Sequence, residues 1–181
     1  MDYSNYFKNY QESITFLLKN VDVKLINKSV NLIKKIKENN QIIYIVGNGG
    51  SASIASHVCV DFTKAAGITS VSFNNSNLIT CYANDYGYEN WVTESIKSYC
   101  KNDLVILISS SGKSPNIVNA AKYCNKQNIE LITFSGFDPK NPLRKLGNVN
   151  FYVDSNDYNF VEMTHHIILV SIVDIFSKNL I

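Results

Sequence analysis

Along the first forty residues the apolar positions recur on a helical period. Tyr6, Phe7, Tyr10, Ile14, Leu17 and Leu18 fall at spacings of three and four across residues 3–19, and Leu25, Ile26, Ser29, Ile33 and Ile36 do the same across 22–38. Two amphipathic helices are therefore predicted first. At residue 42 the pattern changes. IIYIVG (42–47), ITSVSF (68–73), LVILIS (104–109), IELITF (129–134) and NVNFYV (148–153) are short β-rich runs, and helical segments fill the gaps, one of them over about 52–64. Five strands alternating with helices imply right-handed crossovers and a mostly parallel sheet covered on both faces. The predicted fold is a three-layer α/β/α sandwich preceded by two helices. Residues 159–178 are helical by spacing, with Val161, Thr164, Ile168 and Ile172 on one side and Ile167, Val170 and Phe176 filling much of the rest. A helix apolar over most of its circumference needs partners on several sides, so this helix and the 1–38 pair are expected to make subunit contacts.

Composition narrows the class without changing the fold. The 181 residues suit one domain spanning 1–181, and 45% apolar with 18% charged residues is ordinary for a globular chain. The formal net charge of +2 comes from dispersed lysines, so neither nucleic acid nor membrane is an expected partner. Cys59, Cys81, Cys100 and Cys124 form no C-x-x-C pair, which favours a reducing cytoplasm over a disulfide framework. The N-terminal twenty residues lack a signal-peptide pattern, and no run of eighteen consecutive apolar residues occurs. The cytoplasm is the expected compartment.

Candidate chemistry is sought where the strands end, because open parallel sheets bind ligands at the carboxyl ends of their strands. The first strand runs into Asn48, Gly49, Gly50 and Ser51. Glycines there let backbone N–H groups approach an anion, and the following helix adds its positive end. The loop has no Gly-Lys-Ser/Thr and no third dinucleotide-type glycine. The third strand runs into SSSGKSPN (109–116), where Ser109, Ser110, Ser111 and Ser114 precede Pro115 and Asn116. Hydroxyls plus free helix N–H groups make a phosphate cradle without a cation, although a single serine there would be an ordinary N-cap. After the second strand, Asn84 and Asp85 precede Tyr86-Gly87, which by itself also suits an Asx-turn.

All three histidines lie in helical segments beside carboxylates. His57 and Asp61 are four apart, as are Glu162 and His166, so each pair shares a helix face. Brought together, the two pairs would offer two imidazoles and two carboxylates to Zn²⁺ or another divalent ion. An isolated H-x-x-x-D pair is more often a core histidine beside a solvated carboxylate. The phosphate-type loops nearby are what favour the functional reading.

GNGGSASIASH, ISSSGKSPN, ANDYGY and VEMTHH together resemble the sugar isomerase (SIS) domain family and, within it, the phosphoheptose isomerases. The resemblance covers nearly the whole chain and implies a flavodoxin-like sheet. It also implies a homotetramer with active sites between subunits, and interconversion of sedoheptulose 7-phosphate with D-glycero-D-manno-heptose 7-phosphate for lipopolysaccharide or capsule heptose. It would place the phosphate on Ser109, Ser110, Ser111 and Ser114, with Asn48, Ser51 and Asp85 near the sugar; Gly49, Gly50, Asn84 and Asn116 of the same segments are also expected to touch substrate. Asp61 would act as base and His57, Asp61 and Glu162 as metal ligands; because the family's last histidine falls at Val170, either His166, on the same face as Glu162, takes over as ligand and proton carrier, or the activity is lost. The chain departs from the family at four places: Asp61 stands for a glutamate, Glu162 for a glutamine, Asn159 for an acidic residue and Val170 for the last histidine. The arginine expected after the first site helix is also missing, with Lys64 and Ala65 there instead. Val170 favours an alternative, a SIS-domain protein that binds a sugar phosphate or a protein partner without catalysis.

Overall fold

The computed structural model describes residues 2–180. Helices α1 (Ser4–Lys19) and α2 (Val23–Glu38) lead into β1 (Ile43–Gly47), α3 (Gly50–Lys64), β2 (Ser70–Ser72), α4 (Ser76–Tyr86) and α5 (Trp91–Tyr99). Then follow β3 (Leu104–Ile108), α6 (Pro115–Gln127), β4 (Glu130–Gly136), a 3-10 turn (Pro142–Lys145), β5 (Val149–Val153) and α7 (Tyr158–Ser177). All five predicted strands are present, and every pairing is parallel in the order β2-β1-β3-β4-β5. This is the flavodoxin-like order, in which the chain reverses its direction of travel across the sheet between β1 and β3.

The sheet is covered on both faces because its central strands are apolar on both. Ile43 and Ile45 of β1 join the cluster built with α2, α3 and α7, while Tyr44 and Val46 join the opposite cluster with α5 and α6. Two boundaries differ from the predicted ones. Strand β2 keeps three of its six predicted residues, since it is an edge strand paired only to β1, with Gly67 at φ +64° before it and the Asn75 cap of α4 after it. Helix α3 starts at Gly50 rather than Ala52, because Gly49 takes the cap position at φ +55°, a conformation side chains resist.

Helix α7 has the length and mean hydropathy, 1.5, of a membrane span. It instead lies in the core: Val161, His165, Ile168, Leu169, Ile172, Val173 and Phe176 are buried against the sheet, α2 and α3. Helix α1 has no buried residue, and the ring of its Tyr10 lies 4.7 Å from that of Phe160 on α7.

Candidate active site

The carboxyl ends of β1 and β3, where the sheet changes direction, open into a cavity of about 340 Å³ lined by Asn48, Gly49, Gly50, Ser51, Ser109, Ser110, Ser111, Ser114, Tyr158 and Glu162. Eight of these ten lie in the two loops singled out from the sequence. The serine loop is held closed from both sides. Gly112, at φ +63°, donates its N–H to the Ser109 carbonyl at 2.9 Å, and the space a Cβ would need there is filled by the Asn141 amide. Ser109 and Ser114 share a hydroxyl hydrogen bond of 3.1 Å, and Ser114 caps α6 with Pro115 in its first turn. Pro115 has no N–H, and the Ile117 and Val118 N–H groups bond the Ser114 carbonyl, so the first turn of α6 presents the Asn116 N–H without a helical partner beside four hydroxyls, a wall suited to a phosphate.

The glycine loop is set from beneath. Asn116 is 1% exposed, and its amide exchanges two 2.9 Å hydrogen bonds with the Asn48 amide. Asn116, expected to touch substrate, therefore uses its polar atoms on Asn48 and acts as a positioning residue. Asn84 and Asp85, also expected at the sugar, sit in the last turn of α4, exposed and bonded to each other at 2.9 Å, outside the cavity lining. Two participants are not marked in the sequence. Tyr158 lines the cavity from the first turn of α7, a place no spacing singles out. Asn141 braces Gly112 through contacts that cross from the β4 loop.

Glu162 enters the cavity from α7. Its Oε1 accepts a 3.3 Å hydrogen bond from the Ser110 hydroxyl, and its carboxylate occupies the volume that a Cβ on Gly50 would take. The missing side chain at Gly50 is what admits it.

The remaining predicted residues form a second cluster on α3 and α7. His57 Nε2 lies 3.2 Å from Asp61 Oδ2, and His57 Nδ1 lies 2.8 Å from His166 Nε2. A carboxylate only accepts, so the His57 Nε2–H faces Asp61, and the contact between His57 Nδ1 and His166 Nε2 shares one proton carried by either ring. Burial, and after it the neighbouring His57, hold the His166 pKa below the ordinary imidazole value, against an opposing pull from Asp61. The adjacent His165 has another role. It is fully buried, with Nε2 3.1 Å from the Ser135 carbonyl, and burial lowers its pKa to about 4.

Two imidazoles and a carboxylate are zinc-type donors, but their geometry here is a chain. His57 turns opposite edges of its ring to its two neighbours, so it cannot share one ion with both. Donor nitrogens around tetrahedral zinc stand about 3.4 Å apart, given bonds of about 2.1 Å. Glu162 is not in this group, being hydrogen-bonded in the cavity, and seven residues of helix place His57 about 10 Å along α3 from Gly50. Among the described residues, no three His, Cys, Asp or Glu side chains are grouped to hold a metal. As arranged, His57, Asp61, Glu162 and His166 do not fit a divalent cation.

Comparison with known proteins agrees with this architecture. The SIS domain signature matches residues 5–136. The chain belongs to the SIS domain family. It is 30% identical over 169 residues to the phosphoheptose isomerase of Thermodesulfovibrio yellowstonii, covering 87% of this chain and 83% of that protein. It is 29% identical over 161 residues to that of Helicobacter pylori, covering 85% and 83% respectively. Its fold superposes on the phosphoheptose isomerase structure from Neisseria gonorrhoeae with a TM-score of 0.85 over 96% of each chain at 21% identity. Membership with such relatives makes this SIS-domain chain an isomerase of sugar phosphates.

Proposed function

We propose that this SIS-domain protein interconverts the ketose and aldose forms of a heptose phosphate, sedoheptulose 7-phosphate and D-glycero-D-manno-heptose 7-phosphate. The observation that carries the reading is the junction of the hydroxyl-lined loop 109–114 with the glycine loop 48–51 and a carboxylate in one cavity. The phosphate takes the side formed by Ser109, Ser111, Ser114 and the start of α6. Hydroxyls and N–H groups hold it without a fixed cation, which permits release of product. The sugar lies toward Asn48, Gly49, Gly50 and Ser51, where bare backbone allows close approach.

Aldose–ketose isomerisation moves one proton between C1 and C2 through an enediol and exchanges the protons on O1 and O2. A base must face the carbon, and a second group must trade hydroxyl protons. His166, one turn beyond Glu162 on α7 and outside the cavity lining, would fill the second role through intervening water. It is neutral at neutral pH and is linked through His57 to Asp61 and so to solvent, the His57 and Asp61 side chains being 53% and 36% exposed. Every proton in this scheme moves among carboxylate, imidazole, water and substrate.

Incubation with sedoheptulose 7-phosphate, followed by proton NMR of the aldose anomeric signal, tests the reading. Unphosphorylated sedoheptulose serves as the control and should turn over at least about a hundredfold more slowly. Parallel samples with chelator and with added zinc read any metal dependence directly. Binding of the sugar phosphate without turnover in any of these samples would leave a recognition protein and refute the isomerase.

A further inference from the structure

We propose that Glu162, rather than Asp61, is the base that takes the carbon-bound proton; this rests on the isomerase reading above. Of the ten residues lining the cavity, Glu162 supplies the one carboxylate; apart from the Tyr158 phenol, the others are hydroxyls, an amide and glycines. Asp61 does not line this cavity. Eleven residues of helix separate it from Gly50, about 16 Å along α3, and its carboxylate is turned to His57. Glu162 is in the cavity already, held by the Ser110 hydroxyl and resting on the first turn of α3 where Gly50 has no side chain. The positive end of that helix suits a carboxylate at this spot. A base is chosen by reach first, and Glu162 is the carboxylate that lines the cavity.

The step balances without a co-reactant. From the ketose, the Glu162 carboxylate takes a proton from C1, and the C1–H electron pair becomes the C1–C2 double bond. The carbonyl π pair moves to O2, which gains a proton. In the second half O1 gives up its proton and its electron pair forms the C1 carbonyl. The double-bond pair then takes the proton back from Glu162 at C2. One proton enters at O2 and one leaves at O1, so nothing net is consumed.

The family residue at this position is glutamine, and this supplies a discriminating variant. A glutamine oxygen can ligate a metal or orient a substrate, but it cannot accept the carbon proton. In Glu162→Gln, assayed with sedoheptulose 7-phosphate in D₂O, kcat and the wash-in of deuterium at carbon are expected to fall about 10²–10⁴-fold with KM within about threefold. Circular dichroism matching the parent excludes loss of fold. If Glu162→Gln keeps kcat and deuterium wash-in within about threefold of an active parent, the base assignment is overturned and the isomerase reading stands. If the parent itself neither converts the sugar nor exchanges its protons, both fall together.

Discussion

Two adjacent histidines are given opposite roles by one step of a helix. Successive residues on α7 diverge by about 100°, so His165 points into the core while His166 meets His57 across the helix pair. The sequence contained the signal for the first. His165 stands next to Thr164 and one turn from Val161 and Ile168, residues read as one apolar side of the helix, and it is buried with them. The pairing of His166 with His57 was not legible, because it depends on how α3 and α7 approach each other. Burial of His165 has a pH consequence. Its pKa in the fold is lowered to about 4 from 6.5, so below pH 6.5 the unfolded chain takes a proton that the native chain refuses. The contribution of His165 is therefore fully present above about pH 6.5 and is lost as pH falls toward 4, by about 3 kcal/mol over that window. Urea midpoints measured between about pH 7 and 4.5 should drop more steeply for the parent than for His165→Gln. Equal slopes would contradict this assignment.

At the scale of elements, α3 positions both clusters by its two ends. Its first turn meets Glu162 of α7 and its third faces His166. The glycine loop was legible as an anion-type turn, yet the reason for the second glycine was not: Gly50 is small because a carboxylate from a helix a hundred residues later fills the space. Such a contact is tertiary and leaves no local pattern. Gly50→Ala should accordingly disturb chemistry more than folding. The Cβ would overlap the far end of the Glu162 side chain, which can swing away at little cost, and alanine is a better helix former than glycine by up to about 1 kcal/mol. We expect a thermal midpoint within about 3 °C of the parent, since 1 kcal/mol shifts a domain of this size by about 2–4 °C. Turnover should fall at least about tenfold. A variant that melts as the parent and keeps full turnover would show that Glu162 need not rest on Gly50.

For the whole molecule, the alternation of strands and helices made the layers and the parallel sheet legible from sequence, since each strand run was bounded by turn chemistry. Subunit contacts were expected from the 1–38 pair and the last helix; the structure packs α2 and α7 into the core and leaves the apolar face of α1 exposed. A monomer of this mass exposes about 8,800 Å² by the general scaling of surface with size, whereas this chain exposes 9671 Å². On α1, the side chains of Tyr6, Phe7 and Phe16 are 60–67% exposed. Faces of this kind are ordinarily covered by another subunit. Light scattering on the purified protein should give a mass of four chains, the homotetramer inferred from the family; a monomer near 20.4 kDa at micromolar concentration would refute it.

The central claim, a SIS-domain sugar-phosphate isomerase acting on a heptose phosphate, is tested most directly by running the protein on sedoheptulose 7-phosphate in D₂O and reading both sugars by NMR. We predict an aldose anomeric signal that grows with enzyme concentration, with deuterium at C2 of the aldose and at C1 of the recovered ketose. No aldose and no deuterium at either carbon, at high enzyme concentration and with or without added zinc, would contradict it.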